Sequence, residues 1–215
     1  MNRSAMSLRP PALVALSVPR VAILAPLAAL LLPLGLAGCS SQPSAEPPPL
    51  AGAAIGGPFT LTDKAGRTVR WSDFAGRYRI VYFGYTFCPD ACPTDVAAMM
   101  RGFDRFAAAH SSLAAQVQPM FITIDPARDT QAVVGEFAAA FSPRLLGLTG
   151  TPEQVAAAAK AFAVYYAKGK TTPGGYLMDH SRIAYLMGRR GEPIAMLPVD
   201  QGPQAVAAEL AKWVR

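Results

Sequence analysis

The stretch "RIVYFGYTFCPDACPTD", residues 79–95, holds the part of the chain on which fold and chemistry both turn. Its first nine residues, 79–87, are a nearly continuous β-branched and aromatic run, the pattern of a buried central strand. Cys88 falls just past the end of that run, and Cys92 falls where a helix begins, with Pro93 tolerated in the first turn. Residues 95–110 have helical spacing, with Val96, Met100, Phe103 and Phe106 on one face. A strand feeding a helix through a cysteine-bearing loop places that loop where ligands of α/β sheets gather, at the carboxyl ends of strands.

Working outward, "FTLTDKAGRTVRW", 59–71, alternates around a turn and predicts a β-hairpin. "VQPMFITID", 117–125, reads as a second buried strand, and "TQAVVGEFAAAF", 130–141, as a helix with Asp129 and Thr130 as cap candidates. "LLGLTG", 145–150, is a short strand. "TPEQVAAAAKAFAVYYAK", 151–168, opens with a Thr151 cap and Pro152 and predicts a helix over the whole segment. "SRIAYLMGRRGEPIAMLP", 181–198, reads as two strands about a glycine turn, and "GPQAVAAELAKWVR" closes the chain as a helix. Strand–helix alternation followed by a hairpin and a helix predicts an α/β sandwich on a mixed sheet.

The N-terminus is a different kind of sequence. Residues 1–20 carry Arg3, Arg9 and Arg20 and no acid, and "VAILAPLAALLLPLGLAG", 21–38, is apolar. That order reads as a secretory signal. The run ends in "LAGC", which resembles a bacterial lipoprotein signal with Cys39 as the lipidated residue. The alternative is an uncleaved membrane helix, for which the run is short and is interrupted by Pro26 and Pro33. Either reading predicts a domain held on the extracytoplasmic (in many bacteria periplasmic) face of a membrane. The expected organisation is a signal peptide over 1–38, a lipid-anchored Ser/Pro/Ala/Gly tether over 39–57 and one domain over 58–215. The formal charge is +6, and half of it resides in the three N-terminal arginines. What remains is too weak and dispersed to predict nucleic-acid binding.

With Cys39 lipidated, Cys88 and Cys92 are the only thiols of the domain. In an oxidising compartment they can pair, react or hold a metal. Four positions apart on a turn or helix, their side chains lie about 5–6 Å apart. A helix N-terminus favours thiolate over thiol, and thiolate is both nucleophile and metal ligand. An inert staple is the weaker reading, because closing so short a loop removes little unfolded-state entropy. The histidines are His110 and His180. His110 ends a helix and reads as solvated; His180 on its own reads as a structural or surface residue, and Asp179 beside it and its place just before an apolar strand favour a functional role, as a third donor. Two thiolates and one imidazole make a soft, low-coordinate set that suits copper, whereas structural zinc normally closes a fourth position. Met99, Met100, Met178 and Met187 read as core fillers, and Tyr82, Phe83, Tyr85 and Phe87 as strand packing.

"FCPDACP" at 87–93, "ITIDPARDT" at 122–130 and "YLMDHSRIAYLM" at 176–187 together resemble the Sco/SenC family, over roughly residues 57–215. The resemblance implies a thioredoxin-like fold and a membrane-tethered copper chaperone. It implies one copper ion, as Cu(I) or Cu(II), held by Cys88, Cys92 and His180, with Asp90 and Asp179 around them. It further implies a copper donor protein and, as recipient, the binuclear copper (CuA) subunit of cytochrome c oxidase. Asp125, Arg128 and Asp129 match a further family segment and read as strand-end and cap residues. Two other functions are compatible with the dithiol. One is a thiol–disulfide oxidoreductase acting on the oxidase subunit or another exported protein. The other, more remote, is a peroxide reductase.

Overall fold

The structure, a computed structural model, describes residues 46–173 and 175–215. The signal segment, Cys39 and the first part of the tether lie outside the described residues, and among the described ones no helix is long and apolar enough to cross a membrane. The strands are β1 (Thr60–Asp63), β2 (Thr68–Arg70), β3 (Tyr78–Gly84), β4 (Val117–Thr123), β5 (Leu146–Thr149), β6 (Tyr166–Thr172), β7 (Gly175–His180), β8 (Ala184–Met187) and β9 (Pro193–Leu197). The helices are α1 (Ala91–Ala109), α2 (Ser111–Ala114), α3 (Gln131–Phe141), α4 (Pro152–Ala161) and α5 (Pro203–Trp213).

Seven strands form one mixed sheet in the order β2-β1-β5-β4-β3-β8-β9. At its centre β3, β4 and β5 run parallel, in register Tyr82↔Phe121 and Phe121↔Gly147. Parallel strands need both faces covered, and β3 accordingly buries all seven residues. On one face Tyr82 and Phe121 stack, and Phe121 meets Phe137 of α3. On the other Phe83 meets Phe162 at the end of α4, which in turn packs edge-on against Trp71. Helix α5 lies along α1, and Gly102 lets them approach closely: an added Cβ there would run into Val206 and the Pro203 carbonyl. The expected hairpin, mixed sheet and flanking helices are all present, in a thioredoxin-like arrangement.

Three expectations need correction. Helix α4 stops at Ala161 instead of continuing to residue 168: Phe162 turns, Ala163 adopts φ 52°, and the chain leaves as strand β6. Extended backbone suits the β-branched and aromatic run Val164–Tyr166 better than helix. It pairs with β7 in a separate two-stranded ribbon. Strand β3 ends at Gly84, so Phe87 lies beyond the sheet and is 50% exposed. The tether is not free along its whole length either. Leu50 N–H donates to the Ile194 carbonyl, Gly56 N–H donates to the Ala161 carbonyl, and Leu50 and Ile55 pack on the core. The packed domain thus begins about ten residues before Pro58, and residues 46–215 carry a single continuous core of their own.

Candidate metal centre

Cys92 occupies the first turn of α1 and is fully buried; Cys88 lies in the preceding loop, partly exposed. Both are free thiols. The Cys88 sulfur accepts from the Cys92 N–H at 3.3 Å, one of the donors a helix N-terminus leaves without an intrahelical partner. Gly84 makes room beneath them, since an added Cβ there would stand 3.1 Å from Cys92 Sγ. The two thiols differ in character. Burial pushes the Cys88 thiol up, but hydrogen bonds from the Cys92 and Asp90 backbones outweigh it, and its pKa ends below the ordinary value. Burial pushes the Cys92 thiol well up.

His180 reaches the pair from outside the main sheet. It is the last residue of β7, and its Nε2 stands 3.3 Å from Cys92 Sγ. Its Nδ1 is 2.9 Å from the Ser181 carbonyl. A carbonyl can only accept, so Nδ1 carries the proton and Nε2 presents its lone pair towards the thiol. Burial lowers the pKa of the ring and keeps it neutral. Tyr82 and Tyr85 meet it edge-on, at 6.5 and 5.9 Å between centroids. Sequence reading thus selected three residues that the fold does bring together, across 88 positions of chain for Cys92 and His180. As they stand, no group of three or more His, Cys, Asp or Glu among the described residues has the arrangement of a metal shell. Thiol and imidazole are engaged with each other instead, and an ion would replace that hydrogen bond and displace thiol protons.

The flanking carboxylates are not those expected. Asp90 and Asp179 are exposed, and among the described residues neither side chain hydrogen-bonds to Cys88, Cys92 or His180. The carboxylate behind the site is Asp95, 1% exposed and one turn of α1 beyond Cys92. It accepts from the Tyr82 hydroxyl at 2.9 Å and, in a two-pronged pair, from Arg182 Nε at 3.0 Å and a terminal nitrogen at 2.7 Å. Arg182 lies two residues past His180, so this pair pins the base of the ribbon to α1.

The segment after β4 does more than cap a helix. Thr130, not Asp129, caps α3, accepting from the Val133 N–H. Asp129 is fully buried and accepts from the Thr86 N–H (3.0 Å), the Thr86 hydroxyl (2.6 Å) and the Thr123 hydroxyl (2.6 Å). It therefore fixes the cysteine loop two residues before Cys88. Asp125 accepts from Arg128 Nε at 2.6 Å and from the Tyr176 hydroxyl of β7 at 2.7 Å. The Arg128 guanidinium rests 3.7 Å from the Tyr176 ring centroid and 4.9 Å from that of Phe87. One short segment thus holds both the dithiol loop and the ribbon. His110 ends α1 against Phe106, and Met99, Met100 and Met187 are core residues, as expected.

A dithiol at the head of the first helix of a thioredoxin-like sheet, met by a neutral imidazole from a ribbon outside that sheet, defines a class of proteins suited to soft metals and to thiol chemistry. Within it, residues 48–215 match the SCO1/SenC family, and the chain belongs to that family. It is 37% identical over 162 residues to the human mitochondrial protein SCO1 homolog, covering 75% of this chain and 53% of that one. It is 43% identical over 160 residues to protein SenC of Rhodobacter capsulatus, covering 73% and 69%. Thus the chain spans about half the length of its human relative. Among solved structures, Arabidopsis thaliana ScoI with copper bound superposes with a TM-score of 0.69 at 34% identity, over 74% of this chain and 96% of that one. That crystallised chain is therefore little more than the domain described here.

Proposed function

We propose that this protein is a membrane-tethered copper carrier of the extracytoplasmic face. It binds one copper ion through Cys88, Cys92 and His180 and assists assembly of the CuA centre of cytochrome c oxidase. The observation that carries the ligand set is the 3.3 Å approach of His180 Nε2 to Cys92 Sγ. It brings a third soft donor, its lone pair turned towards the sulfur, onto a dithiol whose first sulfur already sits at a helix N-terminus. Copper in the related ScoI structure and the family resemblance support the ion and the recipient. The carrier reading treats the metal as cargo: thiolates and imidazole provide a soft site, and the partly exposed Cys88 is the ligand a recipient reaches first.

The test is anaerobic copper binding to reduced residues 46–215 against a competing chelator, beside His180→Ala. One copper per chain, weakened at least tenfold (about 1.4 kcal/mol) in the variant, is the expected result. Equal binding by the two proteins sinks the three-ligand site.

The unequal thiols support a second reading, thiol–disulfide exchange. In it the Cys88 thiolate attacks a partner disulfide, expelling one partner thiolate and forming a mixed disulfide. Cys92 then loses its proton and attacks the Cys88 sulfur, releasing the second partner thiolate and leaving Cys88–Cys92 oxidised. That activity survives His180→Ala, and so the same variant separates the two functions.

A further inference from the structure

The charge of the domain is divided between its two ends. Strands β3, β4 and β5 run in parallel from one pole to the other and present the dithiol at their carboxyl ends. A basic group collects at their amino ends. Arg77 immediately precedes β3. Arg144 donates to the Ala114 carbonyl at 2.8 Å, and its own carbonyl accepts from Gln118 at the start of β4. Arg77, Arg144 and Lys64 of the β1–β2 turn line one cleft of about 460 Å³. Arg189 and Arg190 form the β8–β9 turn on the same end: the Arg189 carbonyl accepts from Gly76 N–H at 2.9 Å. Lys160 ends α4 on this side, one residue before the Ala161 carbonyl that holds Gly56. Lys64, Arg144, Lys160, Arg189 and Arg190 are all exposed. The nearby acids are largely spoken for, Asp63 by Arg67 at 2.7 Å and Glu192 by Arg190 at 3.5 Å. At the dithiol pole, by contrast, Asp90, Asp95, Asp125, Asp129 and Asp179 offset Arg128, Lys168, Lys170 and Arg182.

A second, independent observation says what this basic face meets. The chain joins the domain there. Leu50 N–H donates to Ile194 at the start of β9, and the Glu46 carboxylate lies 3.5 Å from Lys212 in the last turn of α5. Only seven positions separate Glu46 from Cys39, at most about 25 Å of fully extended chain.

We propose that this pole is a membrane-facing surface: its basic face rests against an anionic phospholipid headgroup layer, and the dithiol site points away from the bilayer. The proposal rests on the N-terminal anchoring argued above, and it holds whether the anchor is a lipid or a helix. Basic side chains are attracted to an anionic leaflet only within about one Debye length, ~8–10 Å. A short tether leaving from the basic face lets that face come within this range and raises its effective concentration at the surface. A tether leaving from the opposite pole would hold it away.

The experiment uses purified residues 46–215, which lack the anchor, in co-sedimentation with two kinds of vesicle. One is pure phosphatidylcholine; the other contains about a third phosphatidylglycerol, an anionic lipid. We expect at least tenfold stronger partitioning to the anionic vesicles at low salt, falling as salt rises. Lys64→Gln with Arg77→Gln should weaken it at least fivefold. Lys170→Glu takes the same two units of positive charge from the dithiol pole and should change it less than twofold. Labelling of Cys88 by a water-soluble maleimide should proceed equally with and without vesicles. Equal binding to both vesicle types overturns the proposal. So does an equal loss in the two charge variants, or protection of Cys88 by vesicles. The maleimide arm uses the unaltered domain and stands even if a charge variant fails to fold. Copper binding by the same preparation is read separately, and its failure would strike the carrier function and leave this result intact.

Discussion

The two arms of the site are built very differently. The dithiol arm is continuous with the core: β3 has no exposed residue, and Cys92 is fully buried in the first turn of α1. The imidazole arm is a two-stranded ribbon that hydrogen-bonds to no strand of the main sheet and buries none of its described residues fully. Isolated two-stranded hairpins are marginal in water. This one is held by side chains: Arg182 on Asp95, Tyr176 on Asp125, and Arg128 and Lys168 against the Tyr176 ring. The contrast suits the proposed carrier. Two of the proposed ligands are fixed by the fold, while the third would be brought in by ties worth a few kcal/mol, a range in which local opening occurs without global unfolding.

The largest expected effect breaks the rigid arm. Phe83→Ala removes a fully buried ring between β3 and Phe162 and should cost about 3–5 kcal/mol of global stability. Denaturant unfolding measures it, and a loss below 1 kcal/mol would mean that this arm is no firmer than the ribbon. Next in size is Asp95→Asn, which keeps the shape but removes the charge that receives Arg182 and the Tyr82 hydroxyl. A drop of about 1–3 kcal/mol follows from weakening charged hydrogen bonds to a buried group. Copper affinity should fall with it, because the residue two positions after His180 is released. Unchanged affinity in a destabilised variant would reduce Asp95 to a purely structural role. Tyr176→Phe is smaller, about 1 kcal/mol for one hydrogen bond. It should appear as faster amide exchange confined to β6 and β7, with the exchange of β3 and β4 unaltered. Faster exchange throughout would show that ribbon and core open together.

How much of this was legible in the sequence follows the same division. The rigid arm reads well, because buried parallel strands and an amphipathic helix carry their periodicity locally, and scarce cysteines mark the chemistry. The ribbon does not read, because the alanine-rich pattern of α4 runs on into "AFAVYYAK" without a polar break, and the stop is made by the turn at Ala163. The signal present was "TTPGG", a hairpin-turn sequence, between "VYYAKGK" and "YLM". Asp95 was hidden for another reason. One polar residue in the first turns of a helix reads as solvated, and its partner Arg182 lies 87 positions away. Asp90 and Asp179 were carried over with the family motifs, and closeness in sequence says nothing of direction: on a strand, neighbours such as Asp179 and His180 point to opposite faces.

The smallest effect sharpens the comparison within the dithiol itself. Cys88 is partly buried at the edge of the core and receives backbone N–H groups at the helix start, and its thiol ionises below the ordinary range despite burial. Cys92, four residues on, is buried and its thiol is pushed up. Iodoacetamide should therefore attach to Cys88 first. Its rate should rise with pH through a midpoint below that of a free cysteine, about 8.5. The signs for stability are opposite. The lowered Cys88 value favours folding above its folded pKa, and that contribution fades as pH falls through it. The raised Cys92 value favours folding below about 8.5 and weakens it as pH climbs further, where the unfolded chain can ionise this thiol and the folded one cannot. Cys88→Ser should thus leave a domain whose stability declines more steeply on the alkaline side than that of the unaltered protein. If mass spectrometry found Cys92 modified first, or both at one rate, the helix N-terminus would not be what distinguishes the two sulfurs. The partly exposed Cys88 would then lose its standing as the residue that meets a partner first.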